Sequence, residues 1–453
     1  MENNTIKNQV FWDKCNVIVF SAFLILTGFF FLILPKNEIS EGEKRKLADF
    51  PSFSWQKFME GKFTDSIDLY FSDNFVLRDE LIALANNLRD MRGIKNDEIR
   101  LYTRGANSEK QILSKEHLSE SENFPLVISD TMTFPEKSAK EEAKKSKTAE
   151  DYVPDKIENH GDYENIKSVI VYNKKAVQVF SGSKKSATYF AKMLKKYKEM
   201  LGNDINLYCM AMPVGSDFYL PSKVSKNNRR EKHFIDMLYE EITPYATPVY
   251  AYEVLDKHRE EYLHFNTDHH WTGRAAMYAY HAFGEAAGFE PMPEEEMKRK
   301  VIKGFLGTMY YYTLSPELKA NKDSVEYFKI PYKTDAFYFS EGIEKGKPTK
   351  MLAEYAKGGG AYGVFLGADF PLMRIISENK TGRRILQIKD SYGNAFTPFL
   401  PANFEEVFVI DYRYFKGSVR ELVEKYEITD VIFTHNVFMI NATFTAQRAI
   451  AFM

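Results

Sequence analysis

From its amino end the chain passes through zones of different apolar spacing. Val17–Leu34 is uncharged, and 14 of its 18 positions are Val, Ile, Leu or Phe. At about −0.3 to −0.6 kcal/mol for each such residue, a bilayer accepts this segment as a helix. Its length reaches the lower bound for spanning. Leu34-Pro35-Lys36-Asn37 follows, in place of the small-residue site at which a signal peptide is cut. The pattern predicts an uncleaved transmembrane anchor over 15–35 behind a short tail at 1–14. Lys7 and Lys14 precede the run, while Lys36, Lys44, Arg45 and Lys46 follow it, so the positive-inside rule does not orient the anchor.

The next zone, 36–106, reads as a helical stem or cap. Trp55, Phe58, Phe63, Ile67, Tyr70 and Phe71 share helical spacing, continued by Leu77, Leu81, Leu84 and Leu88. Ser72-Asp73-Asn74-Phe75 supplies a stop and a fresh cap. Residues 107–162 differ again. Glu136–Glu150 carries nine charges in fifteen positions and lacks aromatic residues, too little apolar surface to offset the entropy of ordering. A charged, flexible insertion is expected there.

From 163 to 453 short β-rich runs alternate with helical ones. The expected strands are Val169–Tyr172, Ala176–Phe180, Asn206–Met212, Thr247–Ala251, Arg384–Ile388, Glu406–Ile410 and Asp430–Thr434. The expected helices are Ala187–Leu201, Glu231–Ile242, Thr272–Ala287, Phe396–Leu400 and Val419–Tyr426. Such alternation implies an α/β body, a mainly parallel sheet flanked by helices, with ligands at the carboxyl ends of the strands. Val301–Tyr355 lacks helical periodicity and reads as an irregular β insertion.

Composition narrows the function. Lys+Arg (61) and Asp+Glu (63) nearly cancel, which argues against a general nucleic-acid binder. Two cysteines, Cys15 and Cys209, build neither a disulfide framework nor a Cys-rich zinc site, and no disulfide is expected.

Two constellations carry candidate chemistry. Thr267-Asp268-His269-His270-Trp271-Thr272 precedes a helix for which Thr272 is the expected N-cap. Ile385–Phe396 runs from an apolar strand into Lys389-Asp390-Ser391-Tyr392-Gly393-Asn394, placing a serine at a strand-to-helix turn. Such a turn exposes the Oγ, and the helix start offers N–H groups to an oxyanion. Serine needs a base, usually an imidazole oriented by a carboxylate, and Asp268 and His270 are spaced for that. Three other readings stand beside this one. His264, Asp268, His269 and His270 include zinc and iron ligand types, although the spacing matches no zinc pattern. His269 and Trp271 fit a structural role, and Asp390 and Ser391 fit turn and cap roles. Ser216 and Asp217, after Pro213-Val214-Gly215, form a weaker polar loop.

The tetrapeptide Asp268-His269-His270-Trp271 resembles the signature that names the DHHW protein family of bacteria. Gly61-Lys62-Phe63, Phe71–Asp79, Lys389–Phe396 and Val409–Tyr414 resemble that family too. It is in turn similar to the alginate O-acetyltransferases, whose catalytic domain is SGNH-hydrolase-like. There an Asp-x-His motif and a later serine act together, and Asp268, His270 and Ser391 match those positions. Lys389-Asp390-Ser391 stands where Gly-Asp-Ser is usual.

The resemblance implies an SGNH-like catalytic domain at 163–453 outside the cell membrane and a cytoplasmic tail at 1–14. It also implies an O-acetyltransferase or esterase acting on a cell-surface polysaccharide, needing no cofactor and no metal. A transferase would further imply a multipass membrane acyltransferase partner that supplies the acyl group. Tyr392, Gly393 and Asn394 are the oxyanion or substrate candidates. Arg413 and Tyr414, just past a strand end, are candidates for substrate contact or for a structural ion pair. The alternative is a non-catalytic anchored protein of the same fold that binds glycan or a partner.

Overall fold

The computed structural model describes residues 168–220, 230–340 and 342–453 continuously. Before them it describes parts of 14–33, then 39–40, 45–46, 48–59, 62–75, 99–103 and 111–113. The chain divides into two units.

In the unit that contains the amino end, helical positions between 14 and 33 are followed by short helices at Trp55–Met59 and Lys62–Asn74. The second ends where Ser72-Asp73-Asn74 predicts a stop. Asn74 Nδ2 donates to the carbonyls of Ala48 and Tyr70, both at 3.0 Å. Phe31 stacks on Phe71 and meets the edge of Tyr70. Tyr70 is buried as its spacing implies, whereas Trp55 and Phe58 are exposed. Among the described residues no helix is long and apolar enough to cross a membrane, so the spanning helix expected over 15–35 is not found there. Most of the expected insertion at 107–162 lies outside the described residues.

The second unit holds the body. Its main sheet contains β1 (Asn206–Met212), β2 (Thr247–Pro248), β3 (Thr334–Phe339), β4 (Lys347–Thr349), β5 (Leu372–Ser377), β6 (Arg384–Lys389), β7 (Glu406–Asp411) and β8 (Asp430–Asn436), in the order β4-β3-β5-β7-β6-β8-β1-β2. The run β7-β6-β8-β1-β2 is parallel. β5, β3 and β4 extend it antiparallel, so the expected mainly parallel sheet carries an antiparallel edge. β7 lies between β5 and β6, and residues 378–383 that join those two are too few for the crossover a parallel connection needs, so β5 runs opposite to β6.

Helices cover both faces of this sheet. Along β1 and β8, alternate side chains point to opposite layers. Phe433 meets Phe190 and Tyr197 of α1 (Lys184–Leu201), whereas Tyr208 meets Phe283 of α3 (Gly273–Ala287). α2 (Arg230–Ile242) also turns an apolar stripe inward, through Phe234, Ile235, Leu238 and Ile242. Cys209 is buried within β1, where burial pushes its thiol pKa up, and both cysteines are free.

Val169–Tyr172 and Ala176–Phe180 do not join the main sheet. Ser168–Tyr172 and Lys175–Gln178 form a hairpin, with Asn173 (φ 49°) and Lys174 (φ 61°) in its two-residue turn. Both turn residues are left-handed, the geometry that matches the twist of paired strands. The hairpin belongs to an antiparallel sheet with Ile99–Thr103 and Gln111–Leu113, so the expected stem and insertion each contribute a strand. A second hairpin, Lys298–Phe305 with Asp323–Lys329, gives order to part of the region read as irregular.

Candidate active site

The carboxyl ends of the parallel strands form one rim. β6 ends at Lys389 and passes through Asp390-Ser391-Tyr392 into a short helix, Gly393–Phe396, continued as 3-10 turns to Ala402. The sequence dictates this sharp exit. Asp390 accepts the Tyr392 N–H at 2.9 Å in an Asx turn, and its other oxygen accepts the Asn436 N–H (2.8 Å) and Nδ2 (3.0 Å) at the end of β8. The turn is thereby tied to the neighbouring strand. Gly393 is required, because a Cβ there would lie 2.7 Å from both Gln387 Nε2 and Lys389 Cβ.

The His-containing loop is buried and pinned from several sides. Lys175 donates to the carbonyl of His264 at 2.7 Å. Asp323, on the second hairpin, accepts from the N–H groups of Asn266 (2.8 Å) and Thr267 (2.7 Å). Thr267 Oγ1 accepts from Gly307 N at 2.9 Å. Thr272 caps α3 as its position predicts. A loop this rich in polar groups can be buried only when its donors and acceptors are matched in this way.

These two segments meet. His270 Nε2 lies 2.8 Å from Ser391 Oγ, and His270 Nδ1 lies 2.6 Å from Asp268 Oδ1. The same carboxylate oxygen accepts the His270 backbone N–H at 2.9 Å, and Asp268 Oδ2 accepts from Thr308 N at 2.9 Å. Burial opposes the charge of Asp268. The His270 and His269 rings, with the hydrogen bonds from His270 and Thr308, outweigh it and hold the carboxyl well below the usual carboxylate range. Ser391 retains 6% exposure and His270 7%. With Nδ1–H facing Asp268, Nε2 is left to accept the serine proton, the arrangement an activated nucleophile requires.

His269 and Trp271 have other partners. His269 Nδ1 is 2.7 Å from Thr308 Oγ1, and the fully buried Trp271 donates its indole N–H to the Tyr392 carbonyl at 2.9 Å. Ligand atoms of Asp268, His269 and His270 lie within 4.8 Å of one another. They are bonded to each other or to Thr308, and His264 is elsewhere, with its Nε2 3.1 Å from the Pro213 carbonyl oxygen. The set of His264, Asp268, His269 and His270 weighed as metal ligands is therefore not assembled.

The oxyanion candidates are engaged within the turn. Tyr392 and Gly393 donate their N–H groups to Asp390, and Asn394 donates its own to the Ser391 carbonyl. Asn394 Nδ2 donates to Asp369 at 2.9 Å. Arg413 pairs with Asp411 (2.7 Å) and Asp369 (2.9 Å), and Lys389 pairs with the same two carboxylates at 2.9 and 3.1 Å. Of its two readings, the ion pair is the one the structure displays. The Tyr414 ring lies under the Arg413 guanidinium, 5.3 Å from it. Burial works against the Lys389 charge, but Asp369 and Asp411 outweigh it and raise its pKa.

Spacing did not single out Tyr362, Thr308 or Glu231. Tyr362 stacks on the His270 ring, with centroids 3.9 Å apart and planes at 12°, and donates its hydroxyl to the Ser391 carbonyl at 2.9 Å. Glu231 takes the weaker polar loop in hand, accepting from Val214 N (2.6 Å), Ser216 Oγ (2.6 Å) and Asp217 N (3.1 Å). Ser216–Tyr219 is a short helix, which the sequence did not signal.

The body is similar to solved structures. A DHHW family protein from Eubacterium siraeum is 30% identical and aligns with a TM-score of 0.58, covering 63% of this chain and 95% of that one. PatB1 from Bacillus cereus is 16% identical with a TM-score of 0.51, covering 60% and 97%. A form of PatB1 with a sulfonyl adduct aligns at 15% identity and 0.50, covering 59% and 93%. These likenesses show a shared mixed α/β fold with a central sheet and flanking helices. No match was found among curated proteins. The DHHW protein pattern matches residues 43–410, most of the sequence, and the chain belongs to the DHHW family.

Proposed function

We propose that this chain is an extracytoplasmic serine O-acyltransferase or esterase with an SGNH-hydrolase-like catalytic domain, acting on a cell-surface polysaccharide and anchored through residues 15–35. The observation that carries the reading is the unbroken line from Asp268 Oδ1 through His270 to Ser391 Oγ, at 2.6 and 2.8 Å. Exposed Val17, Ile18, Val19, Phe20, Ile25 and Leu26 support the anchor.

In the first step Ser391 Oγ attacks the acyl carbonyl as His270 Nε2 takes its proton. Asp268 stabilises the imidazolium, which then protonates the leaving group. In the second step His270 deprotonates a sugar hydroxyl, or water, which attacks the acyl-serine ester and restores the Ser391 hydroxyl. Sugar and water differ only as acceptors, so one site serves transfer and hydrolysis. Acetyl is the acyl group that the family resemblance favours, and a multipass membrane partner would deliver it. With Tyr392, Gly393 and Asn394 committed to the turn, the proposal assigns none of their backbone N–H groups to the oxyanion.

The test is cleavage of p-nitrophenyl acetate by the full-length chain, its Ser391→Ala variant and its His270→Ala variant. The proposal expects release by the wild type and background in both variants. Equal release in all three would favour the non-catalytic glycan- or partner-binding alternative.

A further inference from the structure

The base of the proposed reaction is held by more than its two hydrogen bonds. An imidazole bonded only at its edges can still swing about its Cβ–Cγ bond, whose torsional well is broad. Here two further rings lie against His270. Tyr362 stacks on its face, 3.9 Å away at 12°, and the His269 ring lies 3.8 Å away, tilted at 38°. The hydroxyl of Tyr362 donates at 2.9 Å to the carbonyl of Ser391 itself. One side chain from the Gly358–Val364 segment thus touches both the base and the nucleophile, which come from two other parts of the chain.

We propose that Tyr362 is a positioning residue for His270. Stacked on the ring, with His269 packed beside it, Tyr362 keeps the imidazole in the plane joining Asp268 to Ser391 and stabilises the ring when it carries the proton. This rests on the acyl-transfer reading above and assigns a role that the triad alone does not contain. Among the described residues, titratable neighbours of His270 include Asp268 and His269 on its own loop, Tyr362, and Tyr392 beyond Ser391, whose ring centroid is 5.3 Å away. Among them Tyr362 presents a nearly parallel aromatic face, the electron-rich surface that favours a cation above it.

The experiment measures how fast phenylmethylsulfonyl fluoride labels Ser391 in the full-length chain in detergent, across pH, by peptide mass. A serine O–S bond forms as S–F breaks, His270 takes the hydroxyl proton and fluoride leaves, so no acyl donor or sugar is needed. Tyr362→Leu is expected to slow labelling about tenfold on the pH plateau and to move the acid limb to lower pH, since imidazolium without the ring is less stable. Tyr362→Phe keeps the ring and is expected to stay within about threefold of wild type with an unmoved limb. Tyr362→Met replaces the leucine variant if circular dichroism shows that one unfolded.

A leucine or methionine variant whose pH profile overlays wild type overturns the proposal. So does a phenylalanine variant as slow as the leucine one, which would assign the effect to the hydroxyl. Absence of labelling in the wild type removes the acyl-transfer reading and this role with it. Labelling of the wild type with unchanged variants removes this role alone.

Discussion

A β-carbon built on Gly307 would stand 2.2 Å from Asp268 Cβ and 2.4 Å from its Oδ2. The orienting carboxylate is therefore seated against bare backbone, and any side chain at 307 must push it aside. Gly307→Ala is expected to cost about 1–3 kcal/mol of stability through overpacking. It should also lower ester cleavage by about 10²-fold, the penalty for moving a catalytic group by roughly an ångström. Denaturant midpoints and initial rates check both. Full activity would show that the seat does not govern Asp268.

Asp268 binds the donor edge of His270 while its second oxygen is held by Thr308. Asp268→Asn preserves shape but offers an amide where the Nδ1 proton needs an acceptor. Turnover is expected to fall about 10³- to 10⁴-fold with KM little changed, the scale seen when a triad carboxylate is replaced in serine proteases. A loss under tenfold would remove Asp268 from the proposed machinery.

Lys389 is 1% exposed and is shared between Asp411, wholly buried, and Asp369. Lys389→Met leaves both carboxylates to Arg413 and should destabilise the body by about 3–5 kcal/mol. Adding Asp411→Leu should recover part of that loss, because the second change removes the buried charge left uncompensated. Chemical denaturation of the two variants measures it. A double variant no more stable than the single one would contradict the pairing.

Two groups set opposite pH trends. Asp268 is held below its unfolded pKa of about 3.9. It therefore adds stability that is present above that pH and lost as pH falls toward its folded value. Glu231 is the reverse. Burial first, and Asp217 beside it, push its carboxyl up to about 7. Its folded form holds the proton more tightly than the unfolded chain, so its contribution is full below the unfolded value of about 4.3 and is lost as pH rises through about 7. Glu231→Gln should flatten the decline between pH about 4 and 7 and leave the acid limb unchanged. Thermal melts across that range decide, and an identical slope in both proteins would refute the assignment.

Much of the body was legible in the sequence because its strands are short apolar runs separated by amphipathic helices. Asn206–Met212 and Val419–Tyr426 lie where spacing puts them. The hairpin at 168–178 was misassigned to the parallel sheet although only Asn173 and Lys174 separate its strands, a gap that forces antiparallel pairing. β3 and β5 were missed because β3 sits in a stretch rich in Tyr, Phe and Lys, and β5 follows an irregular one. Each gains its strand identity from a neighbour. At the site, residue types picked out Asp268, His270 and Ser391, but no local pattern brings together residues 121 apart. Tyr362 was invisible for the same reason. Its partners, His270 and Ser391, become neighbours only after the sheet forms. A run of glycines around a single tyrosine, Gly358-Gly359-Gly360-Ala361-Tyr362-Gly363, was the one available signal.

The most direct measurement is to quench the full-length protein with an activated acetyl ester in the pre-steady state and map the acetylated peptide by mass spectrometry. The account predicts an acetyl group on Ser391 in wild type, little in His270→Ala and none in Ser391→Ala. Turnover that survives Ser391→Ala, or an acetyl group trapped on a different residue, would contradict it.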